Sequence, residues 1–149
     1  MLKHMDPLLT PDLLWVLAAM GHGDDLALVD ANFPAEAIAA VTASRRLVRL
    51  PGLRMGAVAR AILSVLPVDT FVPDPVRRME MVDHPDQVPP VQQEVQDAVN
   101  HALGQPRPLV GIERFAFYDA ARAGFAVVQV GDARPYGDFL IRKGVIAGS

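Results

Sequence analysis

The chain lacks cysteine, and this absence excludes several kinds of site at once. Among its 149 residues there is no cysteine, so disulfides, thiolate metal ligands and a cysteine nucleophile are excluded. Only three serines occur, Ser44, Ser64 and Ser149, and none lies in a G-x-S-x-G motif. A cysteine-free chain fits a reducing compartment. We therefore expect a cytoplasmic protein.

Phosphate-binding loops, basic clusters and long apolar runs are missing as well. Neither G-x-G-x-x-G nor G-x-x-x-x-G-K-S/T occurs, so no nucleotide-binding loop is predicted. The formal net charge is −3, and the basic pairs Arg45-Arg46 and Arg77-Arg78 are short, whereas nucleic-acid binding needs a basic face. No apolar run approaches the ~20 residues of a membrane span. We expect no nucleic-acid partner and no membrane insertion.

Apolar residues are abundant and fall into short segments of two alternating kinds. Hydrophobic residues make up 51% of the chain, which suits either a well-filled core or an apolar face buried against other copies. Strands are predicted at 26–29, 47–50, 109–112, 125–130 and 139–145, and helices at 11–20, 35–43, 54–66, 91–103 and 114–123. Two extended pieces are predicted within 70–82. This alternation predicts an α/β fold, a single domain of residues 1–149 with a mostly parallel sheet and helices on both faces.

A histidine between two glycines precedes the first predicted strand. His22 lies in the segment Gly21-His22-Gly23-Asp24-Asp25, where glycine lets a ligand approach the backbone closely. Histidine titrates near neutral pH, which suits general acid–base catalysis. The alternative is a solvent-facing turn with ordinary surface carboxylates, which is the more common structure for such a segment taken alone. A metal site of His22, Asp24 and Asp30, as in a metal-dependent hydrolase, is a further alternative, but this ligand set is generic.

A carboxylate follows the same predicted strand. Asp30 ends the apolar run 26–29, and ligands of open α/β sheets bind beyond the carboxyl ends of the strands. Its side chain can accept hydrogen bonds from the hydroxyl groups of a sugar. The alternative is that Asp30 only caps the turn before the next helix.

Two further junctions carry polar and aromatic side chains. Arg114 follows a predicted strand, where an arginine can clamp a polar ligand, and Tyr118 can donate or accept a proton. Tyr136, Gly137 and Asp138 form a turn before the last strand, in which the glycine allows close approach. An ion pair beside two core aromatics and a plain turn with a packed tyrosine are the structural alternatives.

Short motifs occur in a particular order along nearly the whole chain. They are Leu2-Lys3, Pro7-Leu8-Leu9, Pro11–Leu14, Met20–Asp24, Asp30–Pro34, Arg114–Tyr118, Tyr136–Asp138 and Lys143–Val145. In this order and at these separations, the set resembles the L-fucose mutarotase and D-ribose pyranase family. The Arg-Phe-Ala-Phe-Tyr motif is similar to the fucose branch rather than the ribose branch.

The resemblance implies an isomerase that interconverts the α and β anomers of a free aldose such as L-fucose. It implies that no metal and no organic cofactor take part, and that the chain assembles into a ring-shaped homo-oligomer, often a decamer. The runner-up is a D-ribose pyranase-type isomerase, which moves a sugar between ring forms. A non-catalytic sugar-binding protein is the alternative from another class.

The resemblance also implies a role for each candidate side chain. His22 matches the family's proton donor, and a tyrosine or a carboxylate can act as its partner. The catalytic set is then His22, Tyr118 and Tyr136, and the substrate-binding set is Asp30, Arg114, Tyr136, Gly137 and Asp138. One position departs from the family pattern, which usually has Asn where this chain has Asp138. An ionised Asp accepts hydrogen bonds only, whereas Asn also donates them.

Overall fold

The computed structural model describes residues 1–148, which form one six-stranded sheet covered by helices on both faces. The strands are β1 (Asp25–Val29), β2 (Arg46–Leu50), β3 (Val76–Met79), β4 (Val110–Ile112), β5 (Ala126–Val130) and β6 (Phe139–Arg142). The helices are α1 (Pro11–Ala19), α2 (Ala35–Ala39), α3 (Met55–Leu63), α4 (Pro90–Leu103) and α5 (Arg114–Arg122). The mostly parallel α/β architecture predicted from the sequence is confirmed.

The strand order gives the sheet two chemically different ends. The order is β2-β5-β1-β6-β3-β4. Strand β6 is antiparallel to both β1 and β3, and the other pairings are parallel. Strands β1 to β5 therefore all finish at one end of the sheet, where β6 begins; we call it the carboxyl end. They all start at the opposite end, where β6 finishes; we call it the amino end.

Two apolar cores lie on the two faces of the sheet. Because side chains alternate along a strand, β1 directs Leu26 and Leu28 to one face and Ala27 and Val29 to the other. The first pair packs in the larger core with α1, α3 and α4, and the second pair packs with α2 and α5. Burial on both faces explains why the central strands are continuous apolar runs.

Local sequence signals account for several helix ends. Thr10 caps α1, since its hydroxyl accepts from the Leu13 N–H at 3.2 Å. Gly104 ends α4 with φ 68°, in the left-handed region that favours glycine. The helix predicted over 35–43 is shorter than expected, because Ala43 and Ser44 donate their N–H groups to the Gly124 and Phe125 carbonyls.

The segment 70–82 forms one strand, β3, rather than the two extended pieces predicted. Pro73 and Pro75 have no N–H to donate to a sheet, so pairing begins only at Val76. Within residues 1–148, no helix has the length and apolar character needed to cross a membrane.

Candidate active site

A polar pocket opens at the carboxyl end of the sheet, between the residue that follows β1 and the turn that precedes β6. Its volume is about 210 Å³, below the ~300–1,000 Å³ typical of complete small-molecule sites. Its walls include Asp30, Phe33, Arg114, Tyr118, Tyr136 and Asp138. Five residues that were singled out separately along the sequence therefore meet in one place.

Asp30 is the most strongly held polar side chain of this pocket. It is 2% exposed, and its Oδ1 accepts from the Asn32 N–H at 2.9 Å. Its Oδ2 accepts from the Gly137 N–H at 3.2 Å, which ties the end of β1 to the turn before β6. A Cβ on Gly137 would lie 3.1 Å from Val91 and 3.4 Å from the Asp30 Cβ, so this close approach favours glycine.

Asp138 is a second buried carboxyl group directly beside Asp30. It is 4% exposed, and its Oδ1 accepts from the Asp30 N–H at 3.1 Å. Burial, followed by the negative charge of Asp30, raises the pKa of Asp138 well above its ordinary value. Burial also raises the pKa of Asp30, although hydrogen bonds from its neighbours oppose this. These two shifts favour retention of a proton within the pair, on Asp138 rather than on Asp30.

The turn before β6 is held in a strained conformation by two hydrogen bonds. Tyr136 has φ 64°, which is uncommon for a residue other than glycine. Its hydroxyl accepts from the Val82 N–H at 3.2 Å, and its carbonyl accepts from the Gln92 side chain at 3.0 Å. Gln92 is fully buried and also donates to the Met79 carbonyl at 2.7 Å. One glutamine of α4 therefore joins the end of β3 to the Tyr136 turn.

The first turn of α5 supplies the cationic and phenolic wall of the pocket. Glu113 caps the helix by accepting from the Phe115 and Ala116 N–H groups. One turn further on, the exposed Arg114 donates from Nε to the Tyr118 hydroxyl at 3.0 Å. The Arg114 side chain therefore supports Tyr118 at the pocket and does not pair with Asp30 or Asp138.

His22 lies at the amino end of the sheet, away from the other candidates. It precedes β1, whereas Asp30 follows it, and a five-residue strand at about 3.3 Å per residue separates the two ends by roughly 16 Å. The imidazole is half exposed, and its Nε2 lies 3.2 Å from Oδ1 of Asp69. Within one chain, His22 therefore cannot touch a ligand in the pocket.

The metal site considered from the sequence does not form within one chain. His22 and Asp24 lie at the amino end of the sheet and Asp30 at the carboxyl end, so these three cannot share an ion. Among residues 1–148, no group of three or more His, Cys, Asp or Glu side chains has a suitable arrangement for a metal.

The sequence analysis did not single out two residues that hold parts of the candidate site in place, Gln92 and Asp69. Gln92 shares the apolar stripe of α4 with Val95 and Val99, three and seven residues further on, and a polar residue on such a stripe signals a buried hydrogen-bonding role. Asp69 carried no such signal, because its partner His22 is 47 residues away along the chain.

The chain is similar to known proteins over nearly its whole length. The sequence matches the RbsD / FucU transport protein family over residues 3–146. The fucose mutarotase of Homo sapiens is 41% identical over 149 residues, which cover 98% of this chain and 95% of that protein. RbsD of Bacillus subtilis, solved with D-ribose, is 20% identical with a TM-score of 0.69 and shares the fold.

Two solved structures are closer in shape than RbsD. FucU from Bifidobacterium longum has a TM-score of 0.88 at 34% identity, over 97% of this chain and 100% of that one. The fucose mutarotase of Streptococcus pneumoniae, solved in complex with L-fucose, has a TM-score of 0.87 at 27% identity, over 98% and 100%. Since the family match spans nearly the whole sequence, this chain belongs to the RbsD / FucU family.

Proposed function

We propose that this protein is a mutarotase that interconverts the α and β anomers of L-fucose. The observation that carries the proposal is the convergence of Asp30, Arg114, Tyr118, Tyr136 and Asp138 in one polar pocket. Relatives named fucose mutarotase, similar over nearly their whole length, support the choice of reaction and sugar. The ribose alternative has weaker support, since the D-ribose-bound relative is only 20% identical.

The reaction requires two proton transfers and no covalent intermediate. A proton goes to the ring oxygen, another leaves the anomeric hydroxyl, and the bond between the ring oxygen and the anomeric carbon breaks. The resulting carbonyl group rotates, and the ring oxygen then attacks its other face. Each positioned acid or base contributes about 10²–10⁴-fold. The pocket offers phenol groups on Tyr118 and Tyr136 for these transfers.

Sugar binding would use the polar groups of the same pocket. Asp30 can accept a hydrogen bond from a sugar hydroxyl, and Arg114 can donate one from the nitrogens that do not contact Tyr118. The protonated Asp138 can both donate and accept, as the Asn that is usual in the family would. The turn at Gly137 lets the sugar lie close to the backbone, and Phe33 offers an apolar wall.

A second copy of the chain would bring His22 to the pocket. His22 is half exposed at the amino end of the sheet, and the pocket at the carboxyl end is smaller than a complete sugar site. A head-to-tail contact between copies joins these two ends, and head-to-tail contacts that close generate rings. We therefore propose a ring-shaped homo-oligomer, with a decamer as the expected size, acting in the cytoplasm without metal or cofactor.

Exchange spectroscopy by NMR tests the activity directly. In an equilibrated L-fucose solution, the protein should speed exchange between the two anomer signals, with EDTA causing no loss. The same exchange measurement on a panel of sugars that includes D-ribose shows which sugar the protein prefers. Faster exchange with D-ribose alone would support the pyranase alternative, and binding of L-fucose without faster exchange would identify a sugar-binding protein.

Co-expression of two inactive variants tests the shared site. His22→Ala lacks the proposed proton donor, and Asp30→Asn lacks the ionised sugar ligand. When the two chains mix freely, about one quarter of the contacts unite an intact His22 with an intact pocket. Recovery of about that share of wild-type exchange is expected. No recovery in assemblies that contain both chains would contradict a site shared between copies.

A further inference from the structure

Arg134 lies in the connection between β5 and β6, two residues before Tyr136. We propose that Arg134 is a positioning residue for the sugar pocket: its guanidinium group holds the start of the Tyr136 turn against helices α3 and α4. This inference rests on the proposed function, because it takes Tyr136 and Asp138 as groups that meet the sugar. It adds which side chain sets the position of both.

The guanidinium group of Arg134 makes four hydrogen bonds to two carboxylates. Nη1 and Nη2 donate to the two oxygens of Glu94 at 2.9 Å and 2.7 Å, which is the bidentate geometry in which arginine and a carboxylate match. Nε and Nη2 donate to the two oxygens of Asp132 at 2.9 Å and 2.7 Å. Lysine has one compact ammonium group and cannot reproduce this paired geometry. The arrangement therefore depends on the shape of arginine as well as on its charge.

Asp132 connects this cation to helix α3 and to the end of β1. Its side chain is 1% exposed, and its Oδ2 accepts from the N–H of Met55, the first residue of α3, at 3.1 Å. Its main-chain carbonyl accepts from the Ala31 N–H at 2.9 Å, directly after Asp30. Asp132 is thus fixed relative to both elements, and Arg134 is fixed through Asp132.

Helix α4 binds the same short segment at two points. Gln92 donates to the Tyr136 carbonyl at 3.0 Å, and Glu94, two residues further along α4, binds Arg134. Only Pro135 lies between the two bound residues, and its ring restricts its own φ and the conformation of Arg134. A displacement of Arg134 is therefore passed on to Tyr136, whose φ of 64° needs support from its surroundings.

The charges of this cluster decide which substitution is informative. Hydrogen bonds from Arg134 are the largest cause that lowers the pKa of both Glu94 and Asp132 below their ordinary values, so both partners are ionised. Loss of the positive charge would leave the buried Asp132 without a counterion, which is strongly destabilising. Arg134→Lys keeps the charge and removes only the paired geometry, so it tests position rather than folding.

The concentration dependence of L-fucose exchange separates the two possible roles of Arg134. A displaced Tyr136 turn should weaken one hydrogen bond to the sugar, so we expect Arg134→Lys to raise the KM about three- to tenfold. Exchange spectroscopy by NMR at increasing sugar concentration gives KM and kcat separately. A contribution of Arg134 to stability alone would reduce only the amount of folded protein, which lowers the apparent kcat and leaves the KM unchanged.

A control variant and a second variant make the comparison decisive. Arg49 donates to Glu36 at 2.7 Å in an exposed ion pair outside the turn, so Arg49→Lys is the matched control and should keep the wild-type KM. Glu94→Gln removes the charged partner on α4 but leaves Arg134 bound to Asp132. It should raise the KM in the same direction by about threefold, and it decides the question if Arg134→Lys does not fold.

Amide hydrogen exchange shows where the structure has changed. The Gly137 N–H donates to Asp30 at 3.2 Å, so hydrogen exchange at this amide should quicken in Arg134→Lys while the amides of β1 keep their wild-type rates. A wild-type KM in the folded variants would overturn the positioning role, and so would an equal rise in hydrogen exchange at all amides. If the wild-type protein speeds anomer exchange of no aldose, the proposed function fails instead, so the two failures are distinguishable.

Discussion

Asp69 and Asp138 are almost equally buried, at 2% and 4% exposure, yet their pKa values shift in opposite directions. At the amino end, the Phe71 N–H donates to Asp69, and this hydrogen bond outweighs burial. At the carboxyl end, burial of Asp138 is reinforced by the negative charge of Asp30. The neighbours of a buried carboxyl group, rather than its burial alone, decide its charge.

This contrast divides the chemistry of the proposed site between the two ends of the sheet. The amino end presents a histidine supported by an ionised carboxylate. The carboxyl end presents two adjacent buried carboxyl groups with raised pKa values and two phenol groups around a cavity. Neither end holds both His22 and the polar pocket, so the proposed head-to-tail pair of chains would give a more complete acid–base site than one chain can.

His22→Ala is expected to have the largest effect on activity. Loss of the proton donor should lower the rate of L-fucose exchange by about 10²–10⁴-fold. The fold should persist, because the side chain is half exposed and Asp69 keeps its hydrogen bond from the Phe71 N–H. Exchange spectroscopy and thermal unfolding measure the two effects. A variant that unfolds, or that remains fully active, would favour the structural alternative, in which His22 only belongs to a solvent-facing turn.

The sequence predicted the pocket better than it predicted the place of His22. Asp30 and Arg114 follow parallel strands, so their meeting at one end of the sheet follows from the general rule for α/β folds. His22 is only eight residues from Asp30 in the sequence, but β1 lies between them and puts them at opposite ends. The contact with Asp69 was not predictable, because it depends on where the loop before β3 meets the end of β6.

Gln92→Leu tests how strongly the carboxyl end depends on a single buried amide. The change leaves the Met79 and Tyr136 carbonyls without their donor, and the Arg78 side chain loses its contact with Gln92. Unfolding free energy should fall by about 2–3 kcal/mol, the cost of unsatisfied buried polar groups. Gln93→Leu on the exposed face of the same helix is the control and should change stability by no more than about 0.5 kcal/mol. Equal losses of unfolding free energy in Gln92→Leu and Gln93→Leu would contradict the role of Gln92 in joining the end of β3 to the Tyr136 turn.

Tyr118→Phe and Tyr136→Phe separate the two phenol groups. Each hydroxyl accepts one hydrogen bond, Tyr118 from Arg114 and Tyr136 from the Val82 N–H, so each can still donate to the sugar. The contact with Arg114 fixes the Tyr118 hydroxyl at the pocket wall. We therefore expect the Tyr118 change to slow exchange more, by about tenfold or more, and the Tyr136 change to cost about 1 kcal/mol of stability. The opposite order in exchange rates would make Tyr136 the main proton partner.

Asp138→Asn should have the smallest effect near neutral pH, because the raised pKa of Asp138 favours an uncharged side chain in the wild type. Asn can still donate to Asp30 and accept from its N–H. The raised pKa means that the folded state binds a proton which the unfolded chain releases at lower pH. The contribution of Asp138 to wild-type stability therefore falls as pH rises from its pKa in the unfolded chain, about 4, to its raised pKa in the folded protein. The Asn variant lacks that loss, so its stability relative to the wild type should increase with pH.

The activities of the wild type and of Asp138→Asn should also diverge as pH rises, again in favour of the variant. As pH rises through the pKa of the wild-type pair, Asp138 ionises beside Asp30 and loses the hydrogen that it shares with Asp30. L-Fucose exchange by the wild type should then decline, while Asp138→Asn retains its rate until other groups titrate. Parallel pH profiles of rate and stability would mean that both carboxyl groups are ionised already. In that case the contrast with Asp69 would lie only in the hydrogen-bond partners of the two aspartates, and not in their charge.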